Sequence, residues 1–318
     1  MAQFNQAVQV PIECRGMRID QVVAQLVPQF SRAQLQQWLK SGQISVNGQL
    51  WQSKTRVSGG EQVVLTVVLS TQTEALAQAI PLHIVFEDEQ LLVVNKPAGL
   101  VVHPAAGHRE GTLLNALLYY DPQLSQLPRA GIVHRLDKDT TGLLVVARTA
   151  QAQTALVRQL QQRTVGRTYD AVVIGTMVSG GVVNEAIGRH SHDRKKFAVD
   201  SRGKEAITHY RVVQRFRAHT HIKLKLETGR THQIRVHMAH IRYPLVGDPV
   251  YSGHLPKHCS GPLIATLREF KRQALHASEL SLVHPTSQEI LAWSVPLPED
   301  MAQLLDVLNV DLTGMHKG

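Results

Sequence analysis

The feature that most narrows the fold is a pair of β-rich runs, ITHYRVVQRF ending at residue 216 and HIKLKLE at 221–227, with four residues between them. Parallel neighbours need a crossover of about a dozen residues or more, so so short a connection predicts an antiparallel hairpin. Further short apolar runs recur from Pro81 onward: HIVFE, LLVVNK, LLVVAR, YDAVVIG and ILAWSV. Helical stretches interrupt them, notably GTLLNALLYY, AQTALVRQLQQR and a segment beginning near His232. Strands that neighbour each other without alternating helices read as α+β rather than doubly wound α/β. We therefore expect an α+β fold with a large mixed, mostly antiparallel sheet over residues 81–318.

Residues 1–72 read as a separate small unit. Ile19, Val22, Val23 and Leu26 recur at helical spacing and Pro28 closes that segment. Ser31 is a suitable N-cap for a second helix carrying Leu35, Trp38 and Leu39, and Gly42 is placed to end it. ISVNGQLW then reads as strand, Asn-Gly turn and strand, and GGEQVVLTVVL as a further strand. Residues 73–80, polar and small, fit a linker. The helix–helix–hairpin order resembles the S4 RNA-binding module, a small α/β domain, and Arg18, Arg32 and Lys40 supply it with cations for phosphate.

The formal charge of +9 points to a polyanionic partner, most simply nucleic acid. Two cysteines far apart in the chain form no disulfide framework, which suits a reducing compartment. The N-terminal run lacks a basic then apolar leader, and no apolar run approaches the roughly 18 residues of a membrane span. The expectation is a cytoplasmic protein with no membrane association.

The chemistry-bearing residues lie in four blocks. In GIVHRLDKDTTGLLVVAR, 131–148, charges crowd the entrance to an apolar strand. Arg135 and Asp137, at i and i+2, point the same way on extended backbone and can face one cleft, with His134 beside them. LETGRTHQIRVHMAHIRYPLVGDPVY, 226–251, brings Arg230, His232, Arg235 and His237 together after a Gly turn. An arginine there can form a bidentate pair with a distant carboxylate. RTYDAVV sets Tyr169 at a strand start, where an aromatic ring can stack on a base. VVNKPAGLVVHP bends the chain beside Lys96 and His103.

HRLDKDTTG, YDA, GRTHQIRVH and NKPAG resemble the signature blocks of the large-subunit rRNA pseudouridine synthases, in order over essentially the whole chain. Within that family the chain is similar to the 23S rRNA type with a fused S4 module. Lys225 stands where an arginine would also serve, and no catalytic position departs from the pattern. The resemblance implies a pseudouridine synthase fold and isomerisation of uridine in 23S rRNA, at the helix 69 stem-loop. It makes Asp137 the essential carboxylate, Arg235 its partner and Tyr169 the residue that stacks on uracil and assists C5 deprotonation. Arg135 becomes the side chain that fills the gap left by a flipped nucleotide. His134, Arg230 and His232 join it as RNA contacts. The chemistry so implied needs no cofactor and no metal, and the chain is expected to act as a monomer.

Other readings were open to the residues alone. Asp137 and Asp139 could hold a divalent ion in a nuclease, although the companion motifs bring arginines and histidines rather than further carboxylates. His232, His237 and His240, or His254, His258 and Cys259, could bind zinc, but neither group has paired-ligand spacing. The chain could also be a non-catalytic RNA-binding protein of ribosome assembly. The basic stretch 188–206 offers Arg194, Lys195 and Lys196 for contacts to the RNA backbone.

Overall fold

A computed structural model describes residues 2–28, 30, 32–69, 75–104, 110–191, 193, 196–252 and 259–313. The N-terminal unit has its own core. Helix α1 (Ile19–Leu26) buries Ile19, Val22 and Val23, and α2 (Arg32–Ser41) buries Leu35, Trp38 and Leu39. Both cover a three-stranded antiparallel sheet ordered β1 (Ala2–Gln9), β3 (Gln62–Leu69), β2 (Ile44–Val46). The expected Asn-Gly turn forms, with Asn47 and Gly48 at φ 49° and 73° and reciprocal backbone bonds between Val46 and Gln49. The strand expected after it does not. Only Gln49 bridges back, Leu50 is exposed, and β2 finds its long partner in β3 instead. Gly42, at φ 77°, follows the end of α2 as expected, while Ser31 lies outside the described residues.

The larger unit is a nine-stranded sheet with helices. Its order is β4 (Ile84–Glu87), β5 (Leu91–Lys96), β6 (Thr141–Ala147), β13 (Leu275–Val283), β7 (Gly166–Ile174), β12 (His219–Leu226), β11 (Ile207–Arg215) and β8 (Gly181–Asn184), with β14 (Ile290–Ser294) on β13, while β9 (Ile187–Arg189) and β10 (Phe197–Val199) pair apart from it. Every pairing is antiparallel except β6 with β13. The sheet is thus mixed and mostly antiparallel, with a parallel junction at its centre. All seven residues of β6 are buried, which fixes the strand that follows Asp137. At that junction Gly142 sits at φ 112°, and a Cβ there would lie 2.2 Å from the Ala277 carbonyl oxygen.

Helix α3 (Leu113–Tyr120) packs in the main core, and α4 (Ala150–Gln161) lies against the other face with β6. Residues 75–80 do not hang free as a linker. Ala75 and Ile80 pack on the main core, and buried Asn115 donates through Nδ2 to the Leu76 carbonyl. The apolar residues within this polar stretch explain the docking. Among the described residues, no helix is long and apolar enough to cross a membrane.

Candidate active site

The turn that ends in β6 presents Asp137 at the wall of a cleft of about 900 Å³. Thr140 N–H donates to the Asp137 carbonyl, so Lys138 and Asp139 form the turn. Two buried cations tie that turn from beneath. Lys96, 1% exposed at the end of β5, donates to the carbonyls of Pro97, Leu100 and Lys138 at 2.8–3.0 Å. Burial pushes its ammonium down to about 7, against the pull of Asp139 and Asp137. Arg272 donates to the Asp139 carbonyl and is itself held by Asp300. Asp137 is thus mounted on backbone whose carbonyls are fastened independently of its carboxylate.

The carboxylate has its own partner. Helix α5 (Gln233–His240) carries Arg235, whose Nη1 donates to Asp137 Oδ2 at 3.0 Å across 98 residues of chain. The bidentate fork expected of this arginine goes elsewhere: Nε and Nη2 donate to Asp248 at 2.7 and 2.9 Å. Burial alone would raise the Asp248 carboxyl. The bonds and charge of Arg235, with the N–H groups of Val250 and Tyr251, outweigh it and hold the carboxyl below its ordinary range. Asp248 therefore fixes Arg235 and leaves one N–H bond for Asp137, whose side chain stays 17% exposed to the cleft.

His232 precedes α5 in a left-handed conformation, φ 57° and ψ 20°. Its Nδ1 meets Tyr251 Oη at 2.8 Å and its Nε2 lies 3.9 Å from Asp137. Burial lowers its pKa, with Asp137 pulling the other way. Tyr251 Oη also accepts from Phe197 N–H, and its ring lies under the Arg235 guanidinium, 5.1 Å from the centroid. Gln233 fastens the preceding loop, accepting from Thr228 Oγ1 and Arg230 N–H while donating to Ile207 and Thr208.

Strand β7 contributes Arg167 and Tyr169 to the cleft, sharing one face at i and i+2. Tyr169 is buried, which raises its phenol pKa; Arg167 opposes that rise and Asp137 adds to it. Six arginines line the cleft (129, 135, 163, 167, 230 and 235) against two carboxylates, Asp137 and Glu227. That excess of cations suits a polyanion. Among the described residues no group of three or more His, Cys, Asp and Glu side chains could hold a metal ion; His254 and His258 lie outside them.

The cleft brings together His134, Arg135, Asp137, Tyr169, Arg230, His232 and Arg235. His134 is the exception in kind. Burial, with Arg167 nearby, pushes its imidazole to about 3, and Nε2 accepts from Val145 N–H at 3.1 Å. A neutral ring already engaged by β6 carries no charge for phosphate, so the structure gives it a strand-fastening role instead. Arg135 is exposed, and Arg230 donates through Nε to the Glu205 carbonyl. Arg18 and Arg32 lie in the N-terminal unit, both bonded to the buried carboxylate of Asp20, which also accepts from Gln36. Lys40 is at the exposed end of α2. Lys196 lies 4.0 Å from Asp193, while Arg194 and Lys195 fall outside the described residues. Asp248, Arg167 and Arg272 were not singled out from the sequence. A basic residue closing an apolar run, as Lys96 closes LLVVNK, is a signal in the sequence; Arg167 and Arg272 carry none.

Comparison with known proteins bears on this geometry. The family model described as RNA pseudouridylate synthase matches residues 90–240, and the S4 domain matches 17–63. The Ribosomal large subunit pseudouridine synthase D of Pseudomonas aeruginosa is 57% identical over 310 residues, 97% of each chain. The protein of that name from Escherichia coli strain K12 is 52% identical over 299 residues, covering 93% of this chain and 92% of its own. Among solved structures, Human RNA Pseudouridylate Synthase Domain Containing 4 aligns with a TM-score of 0.56 at 26% identity, over 71% of this chain and 93% of its own.

Proposed function

The chain belongs to the RNA pseudouridylate synthase family, and from that premise we propose that it isomerises uridine to pseudouridine in 23S rRNA, acting as a monomer in the cytoplasm. One observation carries the reading: a carboxylate at the wall of an arginine-lined cleft, held by an arginine that a second, buried carboxylate immobilises. The resemblance in sequence supports the helix 69 stem-loop as the target. We assign RNA docking to residues 1–72, a connecting role to 73–80, and the chemistry to 81–318.

The reaction breaks the N1–C1′ bond, turns the uracil and joins C5 to C1′. A proton leaves C5 and one is gained at N1, so nothing is oxidised and no group is supplied from outside. In this reading a uridine leaves its stack, at a cost of roughly a few kcal/mol, and enters the cleft. Arg135, exposed beside Asp137, fills the space it leaves, and the surrounding arginines offset the cost through phosphate contacts. Asp137 then acts as an anion, by attack at C1′ or C6 or by taking the 2′ proton. The ion pair with Arg235 holds the carboxylate in place in each case. Tyr169 stacks on the base and assists loss of the C5 proton.

Two measurements test this. Tritium release from 5-tritiated uridine in a helix 69 transcript should vanish in Asp137→Asn while the variant still binds the RNA. Pseudouridine mapping of 23S rRNA from cells lacking the gene should show the helix 69 sites unmodified. Wild-type release by the variant overturns the role of Asp137, and a fully modified helix 69 overturns the target.

A further inference from the structure

Among the described residues, Arg167 is a buried cation with no anion. Only 7% of it is exposed, and among the described residues its one hydrogen-bond partner is the Glu227 backbone carbonyl, at 3.3 Å from Nη2. Its Nε is buried with no partner at all. The nearby Glu227 carboxylate is engaged by Arg163 and His209. A guanidinium removed from water normally recovers the cost through a carboxylate or a full set of acceptors. Arg167 has neither, yet it lines the cleft beside Tyr169. Its charge is felt there, adding to the burial that lowers the His134 pKa and opposing the burial that raises the Tyr169 phenol.

The loop opposite is shaped around it. A Cβ built on Gly229 would lie 2.7 Å from Arg167 Nη1, so alanine there would make the end of this side chain shift. Gly229 has no positive φ to explain its choice. The backbone between β12 and α5 is thus pressed close to a cation whose polar edge is left unfilled.

The isomerisation proposed above generates the anion that is missing. Breaking N1–C1′ leaves the bonding electron pair on the uracil, spread over N1, O2 and O4, and negative charge builds on the ring in each route open to Asp137. We propose that Arg167 binds the uracil ring through one of these carbonyl oxygens and carries the charge of the detached base until C5 attacks C1′. Arg167 gives and takes no proton; the C5 proton leaves by another group. Preorganised donors aimed at developing charge are among the strongest catalytic devices, one donor being worth about 10²–10³ in rate.

This inference rests on the synthase reading, and its test keeps the two apart. Arg167→Lys, Arg167→Ala and Gly229→Ala are compared with wild type on the helix 69 transcript, measuring single-turnover tritium release, RNA Kd and thermal unfolding. Wild-type inactivity would remove the synthase reading itself. With wild type active, Arg167→Ala should lose about 100-fold or more in the single-turnover rate with Kd within two-fold. Guanidinium ion added to that variant should restore part of the rate, which a merely structural role would not permit. Gly229→Ala, which displaces the guanidinium without removing it, should fall in between, and it tests the idea should Arg167→Ala not fold. A raised Kd at unchanged rate would make Arg167 a phosphate contact instead, and unchanged rates in both variants would refute the proposal.

Discussion

Replacing Asp248 with asparagine isolates the function of the second carboxylate, because it keeps the shape and removes the charge. In the native protein Arg235 gives two charge-assisted bonds to Asp248 and one to Asp137. Asparagine can still accept from Val250 and Tyr251, but it turns an amide N–H toward a guanidinium that is only 6% exposed. Breaking one side of a buried pair costs about 3–5 kcal/mol, a large part of the 5–15 kcal/mol that holds a typical domain. Asp137, still partly open to water, cannot make up the difference. Arg235 is then free to swing toward Asp137, and a displacement of about 1 Å can cost 10²-fold in rate. Denaturant unfolding and single-turnover tritium release read the two effects separately. A second variant sharpens the argument. Arg235→Met with Asp248→Leu removes the pair entirely and should recover at least about 2 kcal/mol over Asp248→Asn while remaining inactive. If Asp248→Asn unfolds within about 1 kcal/mol of wild type and turns over normally, Asp248 is not the anchor of the site.

Lys96→Met leaves three buried carbonyls without a donor but also relieves the cost of a buried ammonium, so the net loss is about 1–3 kcal/mol, with a larger drop in rate as the Asp137 turn loosens; calorimetry and tritium release check both. Asp20→Asn frees Arg18 and Arg32 from their shared carboxylate; both are substantially exposed, so screening limits the loss to about 1 kcal/mol. RNA affinity should fall while the saturated single-turnover rate holds, in a filter-binding series against salt. Asp248 and Asp170 both have carboxyl pKa values held low, the first by Arg235 and the second by His221 and Ser278, each against burial. Their contribution is complete above the unfolded value of about 3.9 and is lost as pH falls through the lower native values, so unfolding free energy should decline with acid in that window. Prefolded RNA in monovalent salt should be converted at an unchanged rate in excess EDTA, where a metal-dependent reaction would stop.

Strands whose side chains are uniformly apolar, or cleanly bounded by turns, were legible: β5, β6, β7, β11 and β12 fall where their sequences place them. β13 was not, although it stands at the centre of the sheet. LHASELSLV mixes polar residues into its run because they have side-chain partners, His276 and Ser278 within the core and Glu279 at its partly exposed edge. His276 meets Thr141 Oγ1 at the parallel junction, Ser278 donates to Asp170, and Glu279 accepts from Lys223. A central strand that carries buried hydrogen bonds loses the periodicity by which strands are recognised. β1 escaped notice for a related reason, since AQFNQAVQ alternates only weakly and acquires its strand from pairing with β3.

The same physics divides the site into a legible and an illegible half. Motif resemblance brought out Asp137, Arg235 and Tyr169, residues set in runs whose composition is itself unusual. Asp248 sits in PLVGDPVY, where an aspartate before proline reads as an ordinary turn. Its importance comes from an arginine one helix earlier that points back to it, which is a fact about α5 and not about the loop. Arg167 is hidden in the opposite way. In sequence it is one arginine among many in a basic chain, and only its enclosure without a carboxylate, against a glycine that leaves it room, separates it from the solvated ones. Charge that is paired and charge that is left unpaired look alike in a sequence. For the anion proposed above, that distinction separates the residues that hold the site together from the one assigned to the substrate.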